Sequence, residues 1–240
     1  MPHAYAIATT ASYVIALCIA ITLARRDHRP WREITDVLSI AVLSALLGSK
    51  LFHVLFESQG HVLPNGHAAT GVLDLLHHDP FHWARLFEPG YVFDGGVLVS
   101  TVITATYVYR TRLLDPLAYG DYAAPGLAFG IFLGRLGCYA AGCCYGKANI
   151  PIQLFDSAFG LAAFIFVIMR YEHRRFFGEV FFNLLIAYNI WRFFSEFFRG
   201  DIERGLWFNG LLSTSQLISL LVLPFLLVLR GLVSSNSQPD

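Results

Sequence analysis

An all-α integral membrane protein of about seven transmembrane helices, N-terminus outside and C-terminus cytoplasmic, is the fold class this sequence predicts. Three observations carry that reading. Of 240 residues, 55% are apolar and only 14% charged, and the mean hydropathy is +0.54. Soluble domains carry about 25% charged residues, so this chain lacks the polar surface to wrap a globule in water. The apolar residues also gather in about seven stretches close to the roughly 20 residues a helix needs to cross a bilayer. Third, Arg is concentrated in alternate connecting segments, as the positive-inside bias requires. The same composition excludes a disordered chain. The 17 Lys and Arg balance 17 Asp and Glu, which argues against a nucleic-acid partner held by net charge. Four cysteines are too few for a disulfide-dense scaffold.

The stretches run over 4–24, 36–56, 91–109, 118–141, 151–169, 177–198 and 211–229, and together make 1–233 a single polytopic domain. Residues 234–240 read as a short polar tail. The first stretch has no preceding positive charge and is followed by Arg25, Arg26, Arg29 and Arg32. A signal peptide has the reverse order, so this reads as a true span with its N-terminus outside. Counting on from there puts Arg110, Arg112, Arg170, Arg174, Arg175 and Arg230 inside as well. The long outer loop near 57–90 holds Arg85 as its sole strong base, with His61, His67, His77, His78 and His82 as ordinary loop polars or, less favoured, a metal site.

The second, third, fourth and sixth stretches are weak on hydropathy alone because they carry ionisable or glycine-rich segments. An ionisable side chain inside a span costs about 2.5–3.5 kcal/mol and so points to function. Lys50 in the second stretch is a cation at membrane depth that can snorkel to an interface. The third opens with Phe93-Asp94-Gly95-Gly96, where a carboxylate beside two residues lacking Cβ can stand next to a ligand or cap a helix. The fourth ends in Gly134-Arg135-Leu136-Gly137-Cys138, then Gly142-Cys143-Cys144-Tyr145-Gly146. Glycines around an intramembrane arginine allow close approach and tight turns. For Cys138, Cys143 and Cys144, a nucleophile, a disulfide and inert packing all stay open; their spacing matches no usual zinc pattern, and no metal is expected. Cys18 lies mid-span and reads as inert.

The sixth stretch holds Trp191-Arg192-Phe193-Phe194-Ser195-Glu196-Phe197-Phe198-Arg199. On a helix Arg192, Glu196 and Arg199 fall on one stripe and the phenylalanines cover the other sides. Two guanidiniums with a carboxylate form a site for an anionic headgroup, because the planar fork matches phosphate oxygens. The alternative is an Arg–Glu–Arg network that staples helices together.

These segments together resemble the bacterial phosphatidylglycerol–prolipoprotein diacylglyceryl transferase family. The R-F-F-S-E-F-F-R helix at 192–199 and Gly134-Arg135-x-Gly137 are similar to two of its signatures. Pro151-Ile152-Gln153-Leu154-Phe155-Asp156 resembles its P-[ST]-Q-L-Y-E motif. Gly48-Ser49-Lys50-Leu51 with Val54-Leu55-Phe56 is similar to its G-x-R-[IL]-x-x-V-L-F segment, and Gln216-Leu217-Ile218-Ser219 to its G-Q-x-L-S stretch. The matches run in family order. The resemblance implies transfer of the diacylglyceryl group of phosphatidylglycerol to the lipobox cysteine thiol of a prolipoprotein, releasing glycerol phosphate, with no metal or soluble cofactor. It implies a multi-pass protein of the bacterial cytoplasmic (inner) membrane whose partners are the lipid and the lipobox segment. Arg135 and Arg192 match the family's two essential arginines, and Glu196 the acidic partner that orients Arg192. Arg199, Lys50, Gly95, Gly96 and Gln153 complete the expected lipid site. On this reading Arg135 and Arg192 must face one region open to lipid.

The chain departs from the family at several positions. Asp94 stands where the family has histidine before Gly-Gly; Cys138 and Ala141 replace two asparagines, and Cys143 a glutamate. The G-C-x-x-x-G-C-C-Y-G form reads as a subfamily trait. A carboxylate is a weak base toward a thiol unless burial raises its pKa, so Asp94 is expected in a base or positioning role while the arginines stabilise the transition state. Two alternatives stay open. One is a divergent paralogue passing the same lipid group to another acceptor, with Cys143 or Cys144 as a covalent intermediate. The other is a non-catalytic anionic-lipid binder or transporter; transporters favour duplicated halves, and this chain has no internal repeat.

Overall fold

Seven long helices and two short turns of 3₁₀ helix account for nearly all of the residues described in the computed structural model, which covers 2–56, 93–111, 116–200, 206–207 and 211–236. The histidine-rich outer loop, Arg85, Arg112 and Arg204 lie outside the described residues, as does the side chain of Asp94. The helices are α1 (Pro2–Arg26), α2 (Trp31–Phe56), α3 (Phe93–Thr111), α4 (Pro116–Ala141), α5 (Ile152–Tyr171), α6 (Glu179–Ser195) and α7 (Thr214–Asn236). Two antiparallel two-residue strands, β1 (Leu206–Trp207) and β2 (Leu212–Ser213), precede α7.

Among the described residues four helical segments are long and apolar enough to cross a membrane: Trp31–His53, Pro116–Ala141, Ile152–Tyr171 and Ser215–Asn236. Their outer faces fit that solvent. On α7, Leu221, Phe225, Val228 and Leu232 are 76%, 63%, 62% and 58% exposed, and their spacing places them on one stripe. Leu43, Leu47 and Leu51 make a similar exposed row on α2. Apolar stripes of this extent are rare on surfaces that face water.

Neighbouring helices pair as α1 on α4, α2 on α3, α4 on α5 and α6 on α7. Gly160 is what lets α5 close on α4, since a Cβ there would lie 2.5 Å from the Phe132 backbone nitrogen. One buried cluster joins Ala20, Ala24, Ile34, Val37, Val108, Tyr122, Val167 and Val180. These come from the C-terminal ends of α1, α3 and α5 and the N-terminal ends of α2, α4 and α6. The helices therefore alternate in direction, and these ends converge. By the same alternation the opposite ends, with Arg135, Asp156, Arg192 and Ser215, meet on the other side of the bundle.

The converging core end is closed by charge. Asp27, between α1 and α2, accepts hydrogen bonds from Tyr171 Oη at 3.0 Å, from Tyr122 Oη at 3.2 Å and from the Arg174 guanidinium, which lies 4.2 Å from the Tyr171 ring centroid. Burial pushes the Asp27 carboxyl up, but the bonds from Arg174, Tyr171 and Tyr122 outweigh it and hold its pKa below the ordinary value. A depressed carboxylate pKa contributes stability that is present above the unfolded value of about 3.9 and is lost as pH falls through the lower folded value. Thermal melts of the purified protein across that acidic range are expected to show this loss, and Asp27→Asn to flatten it. An unchanged slope in the variant would remove Asp27 from the account.

Two elements differ from the sequence expectation. The sixth stretch is not helical through 198: α6 ends at Ser195 and tightens into a 3₁₀ turn, Glu196–Phe198. Arg199 is then extended and pairs with Gly146, while Gly200 N donates to Tyr145 O at 3.0 Å, so the chain is drawn onto the turn after α4. The last helix starts at Thr214 rather than 211 because Ser213 and Gln216 form a reciprocal capping box. Ser213 N donates to Gln216 Oε1 at 2.9 Å and Gln216 N to Ser213 Oγ at 3.3 Å.

Candidate active site

At the other end of the bundle, three guanidiniums stand among two buried carboxylates. Arg135 lies in the last turns of α4, and its Nε is 3.3 Å from Oδ2 of Asp156 on α5. The second oxygen of Asp156 accepts a hydrogen bond from Trp191 Nε1 of α6 at 2.8 Å. Trp191 is held flat by Phe159, the two rings stacked with centroids 5.1 Å apart. One carboxylate, 3% exposed, thus ties three helices together around Arg135.

The residue after Trp191 carries the second guanidinium. Arg192 Nη2 is 3.2 Å from Glu196 Oε2 and donates to Ser215 Oγ at 3.0 Å. The capping box fixes Ser215 in the first turn of α7, and Gln216 Nε2 donates across to Phe193 O at 3.2 Å. Arg199 Nε stands 4.0 Å from the same Glu196 oxygen, because the 3₁₀ turn keeps both arginines beside one carboxylate. Among the described residues, Arg192 Nη1 is buried without a hydrogen-bond partner, and so is Gln153 Oε1.

The turn after α4 completes the group. Gly142 has φ +72° and Cys144 φ +57°, so the chain doubles back and Cys143 N donates to Cys138 O at 3.1 Å. Gln153 Nε2 holds the turn through Cys143 O at 2.8 Å. The Sγ atoms of Cys138, Cys143 and Cys144 lie within 4.8 Å of one another, all as free thiols. A hydrogen bond from Cys138 pulls the Cys144 thiol well below the ordinary thiol range against the effect of burial, and Arg135 and Arg199 act in the same direction. Arg199 and Arg192 share Glu196, and the bridge of Arg199 to Gly146 draws it onto the turn that follows the Arg135 end of α4.

The other expected site residues among those described lie on α2 and α3. Gly95 and Gly96 face α2, where added Cβ atoms would lie 2.2 Å from Phe52 Cγ and 2.2 Å from Ser49 Oγ. Their lack of side chains serves the close approach of α2 and α3. Lys50 sits on α2, half-buried, at the same end of the bundle as the arginines. Cys18 is exposed on α1, beside an apolar groove formed with Ile15, Ile19 and Ile168 that lies away from the arginines.

Comparison with known proteins decides the kinship. The family model described as prolipoprotein diacylglyceryl transferase matches residues 2–231. The chain belongs to the prolipoprotein diacylglyceryl transferase family. It is 29% identical to phosphatidylglycerol–prolipoprotein diacylglyceryl transferase 2 of Clostridium perfringens, over 84% of this chain and 80% of that protein. The Pseudoalteromonas translucida protein of that name is 28% identical over 87% of this chain and 81% of its own length. The one from Clostridium tetani is 26% identical, over 82% and 80%.

Within this transferase family member, sequence reasoning missed four residues that shape the site: Asp156, Trp191, Ser215 and the capping Gln216. Asp156 was visible as the acidic end of the Pro151–Asp156 segment, and Ser213-x-x-Gln216 as a capping-box pattern. Trp191 and Ser215 carry no local signal, since their roles arise only from contacts across helices.

Proposed function

We infer that this protein transfers the diacylglyceryl group of phosphatidylglycerol to the lipobox cysteine thiol of prolipoproteins, as its transferase kinship indicates. The observation that carries the site assignment is Arg135 held on Asp156 and Arg192 and Arg199 held on Glu196 at one end of the bundle, with Arg192 Nη1 buried and, among the described residues, without a hydrogen-bond partner. The planar guanidinium forks match the oxygens of a phosphodiester and can donate to it in bidentate fashion. Anchoring through Asp156, Glu196 and Ser215 holds the forks in place before lipid arrives, so little reorganisation is needed as charge develops.

In the reaction the acceptor sulfur attacks the glycerol carbon that bears the phosphate. A C–S bond forms, the C–O bond breaks, and glycerol phosphate departs with the electron pair. Charge moves from sulfur to phosphate oxygen, which is where Arg135 and Arg192 stand in this assignment. A thiol brought beside Arg135 and Arg199 also meets a field that favours the thiolate. Asp94 keeps a positioning or base role in this proposal, and Gln153 Oε1, without a partner among the described residues, can accept from a lipid hydroxyl. A covalent intermediate on Cys143 or Cys144 is disfavoured by chemistry, because a thioether sulfur is a poor leaving group.

All seven helices cross the membrane in this proposal. The Asp27–Arg174 end, with Arg25, Arg26, Arg29, Arg32, Arg110, Arg170, Arg175 and Arg230, faces the cytoplasm of a bacterial inner membrane, as the positive-inside bias directs. The arginine site then opens near the outer face, where exported prolipoproteins present their lipobox. The test is to incubate the purified protein with phosphatidylglycerol and a lipobox peptide. The expected result is a mass gain of one diacylglyceryl group on the peptide cysteine with release of glycerol phosphate. An unmodified peptide, under conditions where a relative modifies it, would overturn the assignment.

A further inference from the structure

We propose that Cys138 and Cys143 form a reversible disulfide that staples the C-terminal cap of α4, with an external disulfide as oxidant and Cys144 left as a thiol. In sequence a nucleophile, a disulfide and inert packing all stay open for these cysteines. The geometry of the turn after α4 selects the second.

The backbone itself brings the two side chains together. Gly142, with φ +72°, donates its N–H to Tyr139 O at 3.1 Å, and Cys143 N donates to Cys138 O at 3.1 Å. These two bonds make a Schellman cap, whose side chains at the third-last helical position and at the second residue past the end regularly touch. Here those positions are Cys138 and Cys143, so a contact that is usually apolar is made by two thiols. Cys143 Sγ lies 3.7 Å from Cys138 O, and the three sulfurs lie within 4.8 Å of one another. Side-chain rotation has to bring one pair to the S–S length of about 2.0 Å. Cys143 and Cys144 are poor partners for each other, since adjacent Cα atoms stand about 3.8 Å apart and disulfides prefer about 4.4–6.8 Å. Cys143 is exposed, Cys144 half-buried and Cys138 buried, so an external oxidant reaches Cys143 first.

The staple would lie between two of the guanidiniums. Arg135 is one helical turn before Cys138. Beyond Cys143 the chain pairs Gly146 with Arg199, and Gly200 N donates to Tyr145 O at 3.0 Å. Gln153 Nε2 fastens Cys143 O from α5 at 2.8 Å. Closing the cap therefore stiffens the connection from Arg135 to Arg199 in a segment already pinned on both sides.

The chemistry is thiol–disulfide exchange. The Cys143 sulfur, its proton lost to water, attacks one sulfur of the external disulfide; that S–S bond breaks and the first thiol leaves. The Cys138 sulfur, likewise deprotonated, then attacks the Cys143 sulfur and releases the second thiol. Two electrons pass from the cysteines to the external disulfide, which ends as two thiols, and a dithiol runs the sequence backwards. The placement of this turn on the outer side rests on the orientation proposed above, and that side is an oxidising compartment in which such bonds persist.

The test starts from membranes of cells expressing the full chain, quenched in acid and alkylated in denaturant before and after reduction. Cys18 and Cys144 are expected to alkylate at once, Cys138 and Cys143 only after reduction. Cleavage after Tyr139 should leave two fragments joined until a dithiol parts them. The bond should persist in Cys144→Ser and be lost in Cys138→Ser. In purified protein a dithiol should lower the melting temperature by about 4–8 °C, the shift that opening so short a loop corresponds to. It should also lower kcat/KM for transfer several-fold, with both restored by oxidised glutathione and neither responding in Cys138→Ala. Alkylation of all the cysteines without reduction, a bond that survives in Cys138→Ser or vanishes in Cys144→Ser, or a melting temperature and transfer rate indifferent to dithiol would each overturn the proposal. Failure of the transferase reading has a different signature: the bond forms and opens as described, yet a lipobox peptide gains no lipid in either state.

Discussion

Arg135→Lys is expected to lower kcat/KM for diacylglyceryl transfer by about 10²–10³-fold, the usual cost of one preorganised transition-state donor. The substitution keeps the charge and removes the fork. Arg135 meets Asp156 through Nε at 3.3 Å, so the anchor and the ligand-facing edge of the guanidinium are separate groups. A lysine has a single ammonium, which would settle on Asp156 and present no second donor to phosphate. Because the buried ion pair survives in that form, the melting temperature should move little, which separates loss of chemistry from loss of fold. If the arginine acts mainly on charge that develops as glycerol phosphate leaves, kcat falls more than KM rises. Arg192→Lys should behave alike, since one ammonium cannot serve both Glu196 and Ser215 and still reach lipid. Near-normal kinetics for both variants, measured with phosphatidylglycerol and a lipobox peptide, would break the link between these residues and the reaction.

How far the site could be read from sequence depends on whether each contact is local. Arg192, Glu196 and Arg199 were legible because a helical repeat puts them on one face, and the 3₁₀ turn at Glu196 changes the spacing without separating them. Arg135 stood out as a cation flanked by glycines within an apolar stretch. Asp156 was quoted only as part of a motif: its bond to Arg135 joins α4 to α5, and no periodicity reports a pairing between helices. Gly95 and Gly96 show the same limit. In sequence, Asp94 with two residues lacking Cβ reads as a ligand site or a helix cap; that an added Cβ at Gly95 or Gly96 would meet Phe52 or Ser49 at 2.2 Å is a contact between helices that no local pattern reports. The cysteines were ambiguous for a related reason, since their meeting depends on left-handed backbone at Cys144, a conformation that sequence seldom signals outside glycine. The helical, strongly apolar character was the easiest part, because composition and stretch length both respond directly to the solvent the chain must face.

The largest stability effect should arise at the opposite end of the bundle, where Asp121→Ala is expected to cost about 3–5 kcal/mol. Helix α6 begins after Gly178, which has φ +92° and no side chain to cap the first turn. Asp121, 1% exposed on α4, does that work from another helix, accepting Gly178 N at 2.8 Å and Phe181 N at 3.0 Å. Its charge also suits the positive end of the α6 dipole, and Arg174 Nε approaches it at 4.0 Å. Alanine would leave two buried N–H groups without acceptors and remove one of the two carboxylates that face Arg174, the other being Asp27. For a chain of this size the loss corresponds to a fall of roughly 6–20 °C in melting temperature. Asp121→Asn should lose less, because one carbonyl oxygen can still accept one of the two bonds. Since Arg135, Arg192 and Glu196 lie at the far end of the helices, the alanine variant should keep its transfer rate below its melting point. A melting temperature within a degree or two of the parent would show that α6 does not depend on this foreign cap.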